Sequence, residues 1–127
     1  MIANFCRYLE KELIDPDTIR TILDVGARDC KQSIEFAVKY RNSKVIAFEC
    51  NPQTLPLCRS NIKPYSKRIM LVDKAVNLFE GNCKFYPINP FRTVTTWIDG
   101  NPGASSLFLS NGRYPVEKYG STAKTVE

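Results

Sequence analysis

The chain of 127 residues contains no histidine and no long apolar run. Without histidine it has neither the commonest general base nor the Ser/His and Cys/His arrangements of nucleophilic catalysis. No apolar run approaches the ~20 residues that a membrane-spanning helix needs, and the N-terminus lacks the basic start and apolar stretch of a secretory signal. These absences predict a soluble, cytoplasmic protein without a membrane span.

Positive charge is present but not concentrated. The net charge is +5, from 18 lysines and arginines against 13 acids, and no basic block is longer than the pair Lys67 and Arg68. Nucleic-acid binding usually needs a concentrated basic stripe. We therefore expect no nucleic-acid partner and attribute the surplus to a solvated surface or to attraction of an anionic substrate.

Cysteine is the remaining candidate for metal or redox chemistry. The count is odd and no two cysteines have CxxC spacing; they are Cys6, Cys30, Cys50, Cys58 and Cys83. Because histidine is absent, a zinc site would need cysteines alone, at spacings unlike those of zinc ribbons. We predict no metal site and expect reduced, mostly buried thiols in a cytosolic protein.

Two apolar runs with acids at their ends form the most informative pattern of the chain. The run Thr21–Val25 contains Asp24 and is followed by Gly26; 23 residues after this glycine, Glu49 follows the run Val45–Phe48. Glycine lets the turn adopt a positive φ and lets a ligand approach the backbone. An acid that ends the second strand can accept hydrogen bonds from ribose hydroxyls. The layout predicts a nucleotide-cofactor site at one edge of a parallel sheet.

Around this pattern the chain alternates helices and strands within one domain. We predict a leading helix in residues 1–18, a β-α-β-α-β cofactor half over 19–76 and a β-hairpin-like segment over 77–127. The predicted strands are Thr21–Val25, Lys44–Phe48, Ile69–Val72 and Cys83–Tyr86, with further β-prone runs at Val94–Trp97 and Ser105–Leu109. Right-handed crossovers would place the parallel strands in the order 3-2-1. The expected fold is α/β, a Rossmann-like three-layer sandwich with a β-rich C-terminal segment.

The second half of a doubly wound sheet has no counterpart in this sequence. Such a sheet normally continues after its switch point, whereas here only β-hairpin material follows residue 76. An open sheet would leave an exposed edge and an uncovered face. We therefore expect a truncated or incomplete sheet, with a homo-oligomer as one way to cover its edge.

The same stretch distinguishes between nucleotide classes. A dinucleotide fingerprint needs G-x-G-x-x-G, but no glycine lies between Gly26 and Gly81, and P-loop and kinase signatures are absent. A pyrophosphate would meet the side chains of Arg28 and Cys30 where it needs bare backbone. Asp24, before the turn, suits a ligand with an ammonium group and a sulfonium centre. The residues favour S-adenosylmethionine over NAD.

Four segments resemble the successive motifs of FkbM-type S-adenosylmethionine-dependent methyltransferases: Asp24–Asp29, Val45–Pro52, Asp73–Val76 and Gly103–Leu107. The first two indicate a class I methyltransferase, and the last two narrow the resemblance to this family. Cys30 and Cys50 stand where the family usually has glycine and proline. Family members also continue into a strand that carries an Asp-x-Glu-Gly motif, for which this sequence has no match.

The resemblance implies a cofactor-binding role for eight residues: Asp24, Gly26, Ala27 and Arg28 at the methionine part, Glu49 at the ribose, Cys50 and Asn51 beside the adenosine, and Asp73 near the adenine amine. The family mostly methylates hydroxyl groups. The implied function is therefore O-methylation of a sugar, a lipid or another natural product. No residue is assigned as the catalytic base.

Two other functions stay open from the sequence. The chain fits a truncated cofactor-binding module without catalysis of its own, because the half of the sheet that would carry much of the acceptor site has no match. It also fits an NAD-dependent oxidoreductase, since a strand, a glycine turn and a later acid are common to both nucleotide classes. Gly26 and Glu49 have plain interpretations as well, as an ordinary strand-to-helix turn and a solvated acid.

Overall fold

The structure, a computed structural model, describes residues 2–12, 14–90, 98, 103, 105–108 and 124–126. In these residues the elements are α1 (Ile2–Lys11), β1 (Thr21–Val25), α2 (Lys31–Lys39), β2 (Lys44–Phe48), α3 (Leu55–Ile62), β3 (Ile69–Val72), β4 (Cys83–Phe85) and β5 (Lys124–Val126). Single 3-10 turns occupy Pro16–Thr18 and Lys63–Tyr65. The predicted β-prone run Val94–Trp97 lies outside the described residues.

The strands β1, β2 and β3 form one parallel sheet in which β2 lies between the other two. Their bounds agree with the prediction from the apolar runs, and the α/β class with a small parallel sheet is confirmed. The registers place Leu23, Ile46 and Met70 side by side across the sheet. The carboxyl ends of all three strands therefore lie at the same edge.

A second, antiparallel pair joins β4 to β5. Next to it, Tyr86 forms a single antiparallel bridge with Ser106. The predicted strand Ser105–Leu109 is represented in the described residues by this bridge alone. These contacts bring the segment around Ser106 back toward the parallel sheet.

The helices cover one face of the parallel sheet. In α2, the buried residues Ser33, Phe36 and Ala37 lie on one face, at the i, i+3, i+4 spacing of an amphipathic helix. Phe36 and Ala37 join a core that includes Val45 and Ala47 of β2, with residues of α1 and α3. The core is completed by Cys6, Ala27, Cys30, Tyr40, Cys58, Ile62 and Ile69.

Tyr40 connects α2 to α1 within this core. It is 2% exposed, and its hydroxyl lies 3.0 Å from the Sγ atom of Cys6. Burial, and then the hydrogen bond with Cys6, raise the pKa of Tyr40 to about 12. The ring therefore stays a neutral phenol at physiological pH.

The opposite face of the sheet is open. Leu23, Val25 and Met70 are 62%, 61% and 56% exposed, although all three belong to the parallel strands. The buried cluster, which includes residues of all three helices, lies on the other face of the sheet. In the described residues, the helices therefore cover one face of the parallel sheet, and the predicted three-layer sandwich stays a prediction.

Two cysteines correct the expectation of reduced thiols. Cys30 and Cys58 form a disulfide with a Cα–Cα distance of 5.1 Å, and both side chains are fully buried. This distance is in the usual range for a disulfide. The bond joins the start of α2 to α3, while Cys6, Cys50 and Cys83 are free thiols.

Of the helices in the described ranges, none has the length and apolar character that a bilayer span requires.

Candidate functional site

A cavity of about 340 Å³ lies at the carboxyl ends of the parallel strands. This is the edge at which ligands bind in open α/β sheets. The volume is in the range of small-molecule sites. Its walls come from β1, β2, β4, the loops that follow all three parallel strands, and residues 103 and 105–108. They comprise Val25, Gly26, Arg28, Phe48, Glu49, Cys50, Asn51, Thr54, Lys74, Ala75, Val76, Phe85, Gly103, Ser105, Ser106, Leu107 and Phe108. We call it the donor cavity, after the methyl donor that the resemblance of the sequence implies.

Gly26 begins the turn that borders this cavity. The backbone N–H groups of Gly26 and Ala27 both donate to the carbonyl oxygen of Phe48 at 2.9 Å, which fixes the turn against the end of β2. The φ of Gly26 is 79°, a left-handed value that favours glycine. A Cβ atom added there would meet no heavy atom within 4 Å. The conformation therefore favours glycine, and the space beside it is open to a ligand.

Two further residues of the turn have left-handed backbones without being glycine. The φ values are 56° at Arg28 and 61° at Cys30. Cys30 precedes α2 as its N-cap but makes no side-chain capping bond, because its sulfur is bonded to Cys58. A positive φ explains why glycine suits this position, which the FkbM pattern usually fills with glycine.

Glu49 connects the two loops that form the floor of the donor cavity. Its side chain is only 9% exposed. One carboxylate oxygen, Oε2, accepts the backbone N–H of Arg28 at 2.7 Å, and the other, Oε1, accepts the backbone N–H of Asn51 at 2.7 Å. A carboxylate has about four lone-pair sites, so these two bonds leave acceptor capacity for a ligand. The acid is both a structural clamp and a hydrogen-bond acceptor facing the cavity.

Asn51 ties the β2 loop to the segment at 103–108. Its side-chain Oδ1 accepts the N–H of Gln53 at 3.0 Å, and its Nδ2 donates to the Ser105 hydroxyl at 3.3 Å. The same hydroxyl oxygen accepts the N–H of Ile88 at 2.9 Å. Ser105 therefore holds its own segment as a wall of the donor cavity.

Cys50 contributes a neutral thiol to the cavity wall. Burial, and then the nearby carboxylate of Glu49, raise the pKa of Cys50 to about 11. A thiol with that pKa is almost entirely protonated at pH 7, and the protonated form is a poor nucleophile. Cys50 can therefore pack against a ligand but is not suited to attack one.

Five of the eight predicted site residues line the donor cavity: Gly26, Arg28, Glu49, Cys50 and Asn51. The structure places the other three elsewhere. Asp24 lies on the helix-covered face, where its Oδ2 accepts the Ser33 hydroxyl at 2.5 Å. Ala27 is buried in the core, and Asp73 forms an exposed ion pair with Arg59 at 2.8 Å.

Sequence reasoning did not assign ligand contacts to several wall residues, namely Thr54, Lys74, Ala75, Val76 and Phe85. For Lys74, Ala75 and Val76, the sequence did contain a signal. Because β3 ends at Val72, the residues that follow it must reach the same sheet edge as Glu49. No such rule applies to Phe85, because its position depends on how β4 packs.

Comparison with known proteins adds no family. No protein-family model matches this chain, and no curated protein sequence matches it.

Proposed function

We propose that this protein is an S-adenosylmethionine-dependent methyltransferase with a Rossmann-like cofactor half, which methylates a hydroxyl group of a sugar, a lipid or another natural product. One observation carries the proposal. The Glu49 carboxylate and the left-handed turn at Gly26 border the same cavity, at the carboxyl edge of three parallel strands. This is the arrangement in which such sheets bind nucleotide cofactors.

The residues present fit the methyl donor. Glu49 would accept hydrogen bonds from the ribose hydroxyls, because its carboxylate retains acceptor capacity beyond the two backbone amides. The open space at Gly26 would admit the methionine part, with Arg28 beside it. Ala75, Val76 and Phe85 provide apolar walls for the adenine. Asp24 faces α2, so it would act on the ligand only through the position of the turn.

The chemistry of the donor determines what the protein must supply. When bound, S-adenosylmethionine provides an activated methyl group on a sulfonium centre. The residues of this chain would bind the donor, orient it and limit the access of water, and these contributions act through proximity. Glu49 would hold its two loops in place while it accepts hydrogen bonds from the ribose hydroxyls.

A ligand comparison tests the ribose assignment. Adenosine and 2′,3′-dideoxyadenosine differ by the two hydroxyls that Glu49 would bind, so calorimetry should show that the wild-type protein prefers adenosine by about 1–3 kcal/mol. Glu49→Gln should remove most of this preference. If the variant weakened both ligands equally and kept the preference, Glu49 would act on the loops alone.

Titrations with whole cofactors test the class of ligand. We expect S-adenosylmethionine to bind and NAD to bind much more weakly, because the turn lacks the bare glycine backbone that a pyrophosphate needs. Binding of NAD without binding of S-adenosylmethionine would instead support an oxidoreductase.

One observation favours a second candidate, a cofactor-binding module that does not catalyse alone. Glu49 is the one acid that lines the donor cavity in the described residues, and both of its oxygens already accept backbone N–H groups. Transfer of radiolabelled methyl groups to a panel of glycans and lipids separates the candidates. Donor binding without transfer to any of them would favour the binding module.

A further inference from the structure

We infer that the Ser105 hydroxyl determines specificity for the base of the cofactor, by donating a hydrogen bond to the adenine nitrogen N3. This inference deepens the proposed function and rests on it, because the proposed methyl donor is what places an adenosine in the donor cavity. Ser105 lines that cavity and is half-buried. Its hydroxyl would bind the base and take no part in the transfer of the methyl group.

The side chain of Asn51 fixes the direction of its hydrogen bond with Ser105. The Asn51 Oδ1 accepts the backbone N–H of Gln53 at 3.0 Å, and only the oxygen of the amide can accept in such a turn. The amide nitrogen Nδ2 therefore faces Ser105, and it lies 3.3 Å from the serine Oγ atom. Because an amide NH2 group only donates, the Ser105 oxygen is the acceptor in this bond.

A second hydrogen-bond donor occupies the same oxygen. The backbone N–H of Ile88 donates to the Ser105 Oγ at 2.9 Å. A hydroxyl group has two lone pairs and one O–H, so Asn51 and Ile88 together engage both lone pairs. Within the part of the chain that the structure describes, the Ser105 hydroxyl accepts these two bonds and donates none. Its remaining capacity is to donate its proton to an acceptor atom of a ligand.

The position of this hydroxyl points to the adenosine. Asn51 belongs to the loop of Glu49, the proposed ribose acceptor, and Glu49 accepts the Asn51 backbone N–H at 2.7 Å. Ile88 follows β4, whose residue Phe85 is a proposed wall for the adenine. The Ser105 hydroxyl therefore joins the loop that would hold the ribose to the segment that would cover the base.

Of the adenine nitrogens, N3 meets these conditions best. The exocyclic amino group donates, so it cannot accept the Ser105 proton. The ring nitrogens accept, and N3 lies on the sugar edge of the base, whereas N7 lies on the opposite edge. Because Ser105 is bonded to the loop that would hold the ribose, the sugar edge is the side of the base that would face it. Donation to the oxygen that receives the methyl group would lower the nucleophilicity of that oxygen, so the hydroxyl suits the cofactor better than the acceptor.

Calorimetry of the full chain with three nucleosides tests this inference at mildly alkaline pH, where their bases are neutral. In 3-deazaadenosine and 7-deazaadenosine, a C–H group replaces one ring nitrogen of adenosine. We expect the wild type to bind adenosine and 7-deazaadenosine alike and 3-deazaadenosine about tenfold more weakly, because the Ser105 proton would lose its acceptor. Ser105→Ala should bind adenosine and 3-deazaadenosine with equal affinity. Ser105→Thr keeps the hydroxyl and should retain the preference for adenosine.

The neighbouring serine supplies a matched control. Ser106 also lines the cavity, and its hydroxyl accepts the N–H of Phe108 at 3.0 Å. Ser106→Ala alters the same wall without removing the proposed contact, so it should keep the preference for adenosine over 3-deazaadenosine.

Three results would overturn the base contact. If Ser105→Ala weakened both nucleosides equally and kept the preference, Ser105 would only hold the wall of the cavity. Loss of the preference in Ser106→Ala as well would show a general effect of the wall. Discrimination against 7-deazaadenosine that depends on Ser105 would place the proton on another edge of the base.

Failure of the proposed function gives a different pattern. If the nucleosides show the Ser105-dependent preference but S-adenosylmethionine does not bind, the base contact stands and the methyltransferase proposal fails. If S-adenosylmethionine binds but the wild type does not discriminate against 3-deazaadenosine, the base contact alone fails. Absence of adenosine binding to the wild type would overturn the base contact, whatever the titrations with whole cofactors show.

Discussion

Replacing Glu49 with glutamine tests whether its carboxylate holds the two loops of the donor cavity together. The change keeps the size of the side chain and removes its charge. In the wild-type chain, each carboxylate oxygen accepts one backbone N–H at 2.7 Å, from Arg28 and from Asn51. Glutamine has a single acceptor oxygen, so its NH2 group would face one of these N–H donors.

The magnitude follows from the loss of one of these bonds. A hydrogen bond to a charged group contributes about 1.5–3 kcal/mol, and the remaining bond becomes weaker because the acceptor is neutral. Water replaces the lost partner poorly, since Glu49 is only 9% exposed. We therefore expect the free energy of unfolding to fall by about 2–3 kcal/mol in Glu49→Gln.

Urea denaturation measures this change, and Glu35→Gln is the matched control. Glu35 is an exposed residue of α2, so its variant should lie within about 0.5 kcal/mol of the wild type. Amide hydrogen exchange adds a local measurement, because the Arg28 and Asn51 amides should exchange faster in Glu49→Gln. Unchanged stability, or a loss of stability with both amides still protected, would refute the clamp.

Three further predictions address the turn and the cysteines. In urea denaturation, Gly26→Ala should lower the free energy of unfolding by about 1–2 kcal/mol, because the φ of Gly26 is 79°. An unchanged midpoint would contradict the left-handed conformation of the turn. At pH 8, Cys50 should react with iodoacetamide about a hundredfold more slowly than a thiol of pKa 9.0, and its rate should increase until about pH 11. A rate equal to that of the thiol of pKa 9.0 would contradict the burial of Cys50. Cys30→Ser/Cys58→Ser should lower the free energy of unfolding by about 3–4 kcal/mol, because the disulfide closes a loop between residues 28 positions apart. A loss smaller than about 1 kcal/mol would contradict that bond.

The parallel strands could be predicted because their signal is local. Thr21–Val25, Lys44–Phe48 and Ile69–Val72 are short apolar runs rich in branched residues, and these favour buried strands. The need for glycine at position 26 followed from the turn that the strand and helix require.

The residues that the structure places outside the donor cavity, and the cysteine pair, depend on contacts between distant parts of the chain. Strand alternation puts Asp24 on the same face as the core residue Ala47, its partner in the register, so it meets Ser33 instead of the cavity. Cys30 and Cys58 are 28 residues apart, and no spacing rule links them until α2 and α3 are packed together. Arg59 likewise reaches Asp73 only in the folded chain.

The disulfide also determines how the chain would behave under limited proteolysis. Cys30 and Cys58 close a covalent ring that contains β2, Glu49 and Asn51. A single cut between residues 31 and 57 would leave both fragments in one molecule, and they would separate on a gel only after reduction. The two loops that Glu49 joins therefore stay covalently connected after a backbone break in the segment between them.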